Sequence, residues 1–364
     1  MLKIPIPNES EPYSTLDLYS WSGESWEWIT NQIILAEDAI EAELDFVPGS
    51  VAAMQTHPVS PHISADYLPS TFVPAGAAEM IAEVNPAGLY LDADGQIVGE
   101  PAPLPPELQT GNLVVVPTLR NWYEDGSVRS DLVDNMLIDP DARDRHVANI
   151  IALVEGNGYP GIDIDYRGIS PQLEGQFTDF LEALRAGLSD DKQISVRVDE
   201  AAPISADTWD TGAYNWRAIG RIANVVKIPT SSDPRAYVPG GQMESMLNWA
   251  VGEINRYKIQ LLLSTRSTMQ ANGLTQNVSY QEALNPLGAI SIVGNENVVP
   301  PGQAVDFTLT GLQTSTGVQF DQNSGTYWYA YLDANNTQHT VYLENAASIA
   351  RKLQYVAQYN LRGV

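Results

Sequence analysis

The rhythm of apolar and polar positions changes along this chain. Up to residue 49 it has a period of two. Leu16-Asp17-Leu18-Tyr19-Ser20-Trp21 alternates, Ser22-Gly23-Glu24 can turn, Trp26-Glu27-Trp28-Ile29 follows, and Ile40-Glu41-Ala42-Glu43-Leu44-Asp45-Phe46 alternates again. Period two puts successive side chains on opposite faces of a strand. A few such strands bury little alone. Residues 1–49 therefore read as a β-rich segment, the remnant of a β-sandwich domain.

From residue 50, short apolar runs alternate with longer amphipathic stretches. Candidate strands are 50–56, 87–91, 113–118, 161–165, 194–198, 224–228 and 260–265. Helical spacing marks 172–188, 243–257 and the stretch opened by Asp139-Pro140, an N-cap aspartate followed by proline at the first helical position. Apolar strands alternating with helices imply a parallel sheet covered by helices. Leu361-Arg362-Gly363-Val364 reads as the start of an eighth strand. The expectation is an α/β fold, a (β/α)8 TIM barrel over 50–289 and 344–364. Residues 290–343 break the rhythm with antiparallel-type strands and an Asp333-Ala334-Asn335-Asn336 turn. They read as a small α+β insertion between strands seven and eight, before a last helix at 345–359.

Composition narrows the partners. Among 364 residues, 45 acids oppose 19 bases, a formal charge of −26. Such a surface repels phosphate backbones and anionic lipid headgroups, so nucleic acid is not an expected partner. No apolar run reaches the ~18 residues of a membrane span, so no direct membrane insertion is expected. The absence of cysteine removes thiol nucleophiles, disulfides and thiolate metal sites. The four histidines lack metal-ligand spacing, and no phosphate loop, zinc motif or serine elbow occurs. Neither a metal nor a cofactor is expected. His146, on a helical stretch, reads as a surface or interface residue.

The most informative strand is Gly158-Tyr159-Pro160-Gly161-Ile162-Asp163-Ile164-Asp165-Tyr166-Arg167. Alternation puts Asp163, Asp165 and Arg167 on one face. Two carboxylates in a confined barrel mouth can have one pKa raised for proton chemistry, whereas Arg167 beside them would hold both ionised. A structural Asp–Arg network capping the strand is the other reading.

This segment resembles the Asp-Gly-x-Asp-x-Asp-x-Glu signature of glycoside hydrolase family 18, the chitinase-like barrels. Asp139-Pro140-Asp141-Ala142-Arg143, Asn85-Pro86-Ala87-Gly88-Leu89-Tyr90, Phe177-Thr178-Asp179-Phe180-Leu181, and the closing His339-Thr340-Val341-Tyr342-Leu343-Glu344-Asn345-Ala346 and Tyr359-Asn360-Leu361-Arg362-Gly363-Val364 are similar to the branch holding bacterial spore-cortex and germination lytic enzymes. The resemblance implies cleavage of β-1,4 links beside N-acetylglucosamine, with the substrate's own acetamide as nucleophile. It makes Asp165 the acetamide-orienting residue and Asp163 its support. The proton donor, glutamate in the family, is Arg167, which cannot give up a proton near neutral pH. The family's Met-x-Tyr-Asp after strand six is matched by Ile228-Pro229-Thr230-Ser231, so Thr230 replaces the tyrosine that contacts the acetamide.

These departures imply a non-catalytic chitinase-like module that binds an N-acetylglucosamine-containing glycan, chitin-like or peptidoglycan, or serves as a surface scaffold. Two alternatives stand beside it. One is an active glycosidase whose acid has moved to Glu200 or Asp199; the other is a structural component of a surface assembly. Trp122 and Tyr123, after strand three, are candidates to stack on sugars. Arg197, Asp199 and Arg266 complete the candidate binding set, and Arg167, Arg197 and Arg266 could balance Asp163, Asp165 and Asp199 as a charged plug. Trp328, Tyr329 and Tyr331 could line a groove or pack the inserted sheet. The chain reads as a piece of a larger exported bacterial protein, extracellular or at the cell surface. Its flanking domains and signal peptide would lie outside this sequence.

Overall fold

The structure is a computed structural model that describes residues 1–71, 73, 76–109, 113–205, 208–292, 307–310 and 316–364. The chain divides into two compact units. The first comprises 1–229, 245–262 and 356–364; the second comprises 230–244 and 263–355.

In the first unit the period-two segments form two three-stranded antiparallel sheets. One orders Leu2–Pro5, Ala39–Ala42 and Gln32–Ile34; the other orders Trp26–Ile29, Leu16–Trp21 and Val51–Gln55. Ile6, Leu16, Leu18, Ile29, Ile40 and Ala42 are buried as one cluster between them. This corrects the first expected barrel strand. Residues 51–55 pair antiparallel with Leu16–Trp21, Leu18 opposite Ala53.

The parallel strands begin later. They are β1 (Ser64–Tyr67), β2 (Glu83–Pro86), β3 (Thr118–Arg120), β4 (Gly161–Asp165), β5 (Gln193–Arg197), β6 (Val225–Pro229) and β7 (Ile259–Leu262). β1 pairs with β2, β2 with Val114–Val115 just before β3, and β3 through β7 pair in order, all parallel. Gly363 bridges to Gln260 on one side and His62 on the other, and the Ser64 N–H donates to the Val364 carbonyl at 2.8 Å. Leu89–Leu91 lies beside β3 and folds back on Ile97–Gly99.

Local chemistry explains the approach to β4. The Asp139 carboxylate accepts the Asp141 N–H at 3.0 Å and starts helix Pro140–Asn157, which Gly158 ends at φ +65°. Gly161 lets β4 meet β5 closely, because a Cβ there would sit 2.2 Å from the Gln193 carbonyl oxygen. Ile162 and Ile164 are fully buried, as are Phe180, Leu181 and Leu184 of helix Glu174–Gly187.

The second unit holds a five-stranded antiparallel sheet ordered Leu274–Val278, Ser267–Ala271, Gln338–Leu343, Thr326–Leu332 and Gln319–Asp321. The departure from the parallel pattern therefore starts near Ser267, ahead of the expected 290. Its first hairpin turns at Asn272 and Gly273, both at positive φ, a dipeptide suited to a two-residue turn. Ala289–Ile292 pairs antiparallel with Phe307–Thr310; the rest of that expected strand pair lies outside the described residues. Tyr329 is buried and donates its hydroxyl to the Ala283 carbonyl, while Tyr331 stacks on His339 at 4.9 Å. These rings pack the sheet.

One buried ion pair joins the antiparallel strands of the first unit to its parallel ones. Arg256, fully buried just before β7, donates to both Asp17 oxygens at 2.8 and 2.6 Å and to the carbonyls of Ser14, Leu16 and Tyr359. Arg256→Met leaves Asp17 buried without its counter-ion, and burial then pushes its carboxyl further up. We expect a loss of about 3–5 kcal/mol in urea unfolding, with early proteolysis before residue 60.

Candidate active site

The chemistry-bearing side chains gather at the C-terminal ends of the parallel strands, and the lowest of them is Asp163. Its carboxylate is fully buried at the centre of β4. Oδ2 accepts from Thr118 Oγ1 at 3.0 Å, Arg197 Nε at 2.8 Å and Arg197 Nη2 at 2.6 Å. Lys227 Nζ lies 3.0 Å from Oδ1. Burial alone would raise this carboxyl, but the Arg197 and Lys227 charges outweigh it and hold it well below the usual carboxylate range. Arg197 reaches on to both Asp66 oxygens at 2.8 and 2.5 Å. Lys227 donates to Asn85 at 2.7 Å and lies 3.6 Å from Glu83, which also accepts from Gln193.

Asp165, 1% exposed, sits one pleat higher. Arg167 grips it two-pronged, Nε on Oδ1 and Nη2 on Oδ2, both at 2.9 Å. Trp122 Nε1 donates to Oδ2 at 2.8 Å, and Arg197 Nη1 stands 3.6 Å away. The Arg167 guanidinium lies 3.9 Å from the Trp122 ring centroid, and its backbone is held by Asn121 on both N–H and carbonyl. Arg120, from the end of β3, lies 4.4 Å from the same ring and donates to the Tyr90 hydroxyl at 2.6 Å. Tyr90 stacks on Tyr123 at 5.0 Å.

The structure thus brings Asp163, Asp165, Arg167, Arg197, Trp122 and Tyr123 together. Asp199 is half-buried at the rim and accepts the Gly168 N–H at 3.1 Å; burial raises its carboxyl. Glu200 is exposed and makes no hydrogen bond or ion pair with the described residues, although partial desolvation raises it. Thr230 and Arg266 belong to the second unit. Arg266 is exposed and without an ion pair among the described residues, so the expected plug holds Arg167 and Arg197 but draws its further cation, Lys227, from β6.

His146 is a correction. It is fully buried, with Nδ1 2.9 Å from the Gly95 carbonyl and Nε2 2.5 Å from the Tyr166 hydroxyl. A neutral ring serves both contacts, donating to Gly95 and accepting from Tyr166. Among the described residues no group of three or more His, Asp or Glu side chains is arranged to hold a metal ion.

Sequence reading missed Asp66, Glu83, Arg120 and Lys227. For three of them the signal was a charged residue inside an otherwise apolar parallel strand, where only an inward, partnered position is tolerable. Asp66 was hidden because β1 was sought at 50–56.

Two measurements test this description. Asp163→Asn keeps the shape but leaves Arg197 and Lys227 under-compensated, and should cost about 3–5 kcal/mol in urea unfolding. For His146, burial holds the imidazole down at about 4, against about 6.5 in an unfolded chain. The unfolded state therefore takes up a proton first. This contribution is complete above pH 6.5 and lost as pH falls towards 4, about 2 kcal/mol between pH 7 and 5. Thermal melts of His146→Gln should fall less steeply over that range than those of the natural chain.

Comparison with known proteins places this geometry. The family described as glycosyl hydrolases family 18 matches residues 126–364, which include all of β4 and Arg167. The chain is similar to the cortical fragment-lytic enzyme of Bacillus subtilis, 25% identical over 245 residues, 65% of this chain and 52% of that protein. It is also similar to that of Bacillus anthracis, 20% identical over 260 residues, 70% of this chain and 56% of that one. The chain spans about half the length of these curated relatives. Among solved structures it resembles a chitinase from Chromobacterium violaceum, with TM-score 0.62, 19% identity and coverage of 84% and 92% of the two chains. It also resembles the Bacillus cereus spore cortex-lytic enzyme SleL, with TM-score 0.60, 17% identity and coverage of 89% and 74%. The fold is therefore of the TIM-barrel α/β type, and the chain belongs to glycoside hydrolase family 18.

Proposed function

We propose that this chain is a non-catalytic family 18 module that binds an N-acetylglucosamine-containing glycan at the ends of β3–β5. One observation carries the reading. At the position where the family's motif places its proton-donating glutamate stands Arg167, and this arginine occupies both oxygens of Asp165. A guanidinium stays protonated at any pH the fold tolerates. General acid catalysis supplies about 10²–10⁴-fold, and the leaving sugar oxygen here has no donor in the usual place. Asp165, the residue expected to orient the substrate's acetamide, is already neutralised by Arg167 and bonded by Trp122. Tyr123, 37% exposed, remains as a ring surface for a sugar, while Trp122 carries the guanidiniums of Arg120 and Arg167.

Within this reading residues 361–364 supply the eighth strand of the barrel, which the isolated bridges of Gly363 to Gln260 and His62 support. A surface or extracellular setting fits relatives named for the spore cortex, and among the described residues no helix is long and apolar enough to cross a membrane.

A second reading has its own support. Burial raises the Asp199 carboxyl beside Gly168, one residue beyond Arg167, as a displaced acid requires. One experiment separates the two. The protein at high concentration is incubated at length with N-acetylglucosamine oligomers and peptidoglycan strands, with products read by mass spectrometry and binding by titration calorimetry. We expect saturable binding and no shortened products. Products that vanish in Asp165→Asn and in the Asp199→Asn/Glu200→Gln double variant would establish hydrolysis with a relocated acid. Absence of binding to every strand would remove the glycan-binding reading.

A further inference from the structure

We infer that the strand-end site selects a glycan carrying a carboxylate, and that Arg120 is the residue that reads it. The inference rests on the glycan-binding reading above and names the chemistry of the sugar. Four buried or half-buried cations meet at this site, and three have acids. Arg167 holds Asp165, Arg197 holds Asp163 and Asp66, and Lys227 lies on Asp163. Arg120 does not. Its side chain is 1% exposed, and its only hydrogen bond among the described residues goes to a neutral phenol, Tyr90. Its Nε has no partner, and it forms no ion pair with any described residue. A buried guanidinium keeps its charge, and a charge without a counter-ion is expensive to bury. The stacking contacts to Tyr90 and Trp122, at 4.9 and 4.4 Å, offset only part of that cost.

The surroundings define what would complete it. Arg120 lies in register with Asp165, so an anion reaching it sits beside the position that the family uses for the acetamide. The walls are aromatic: Trp122, and the Tyr90–Tyr123 stack whose outer ring is 37% exposed. Ring surfaces around a single planar, fork-shaped donor suit a sugar bearing one carboxylate better than a neutral sugar. The net charge of −26 opposes an acidic polymer at a distance, but physiological salt screens that repulsion beyond about 8 Å, which leaves the local contact to decide.

The test uses glycan strands of alternating N-acetylglucosamine and N-acetylmuramic acid, stripped of peptide by an amidase so that each lactyl carboxylate is free. The comparison ligand is the same strands after carbodiimide activation and borohydride reduction, which turns each carboxylate into an alcohol. N-acetylglucosamine oligomers serve as the neutral reference. Calorimetric titration of the unmodified protein should find the acidic strands bound about 10- to 100-fold more tightly than the reduced ones, the range of one charge-assisted hydrogen-bonded pair. Arg120→Gln should abolish that preference, so that acidic and reduced strands bind the variant equally. Equal affinity of the unmodified protein for acidic and reduced strands would overturn the inference while leaving glycan binding intact. No binding to any of the three ligands would overturn both. The comparison of strands needs no variant, so a misfolded Arg120→Gln protein does not spare the proposal.

Discussion

A carboxylate in the middle of a parallel barrel-type sheet costs several kcal/mol unless its neighbours repay the lost hydration. Asp163 is repaid by Thr118 from β3, Arg197 from β5 and Lys227 from β6. Those cations in turn bring in Asp66 from β1 and Glu83 and Asn85 from β2. One buried negative charge therefore fixes the inward side chains of six strands. Everything above it inherits that geometry. Asp165 stands one pleat higher because Asp163 is held, and Arg167 can grip Asp165 from the strand's last turn because Asn121 secures its backbone.

The same network separates support from chemistry. The lower layer is closed: acids and bases are paired and buried. The upper layer sets the permanent cation of Arg167 against Asp165. Arg167 does not disturb the scaffold. It adds two charge-assisted hydrogen bonds to Asp165 and a ring contact to Trp122. The network below explains why Asp163 and Asp165 are held in place beside Arg167.

Much of this was legible. Asp139, Pro140 and Gly158 announced a helix through capping and φ preference, and that helix leads into β4. The apolar runs at β4, β5, β6 and β7 named those strands, because strands buried on both faces leave little else in the sequence. Other parts were not legible. Residues 51–55 are as apolar as a barrel strand, yet they pair with Leu16–Trp21, a partner that composition does not reveal. The hairpin at Asn272-Gly273 was readable but passed over, since its strands are polar and half-exposed. His146 looked like a surface residue because helical spacing does not say that Gly95 and Tyr166 wait on either side of its ring.

The sequence by itself determined the alternation of strands and helices and the spacing of Asp163, Asp165 and Arg167 on one face. These follow from local periodicity and residue identity, which need no partner. Only the tertiary structure decided which charges meet. Asp66, Glu83, Arg120, Arg197 and Lys227 come from five strands scattered over more than 160 positions. Ion pairing acts over a few ångströms, whereas sequence separation carries almost no information about such distances once a parallel sheet has brought its strand ends together.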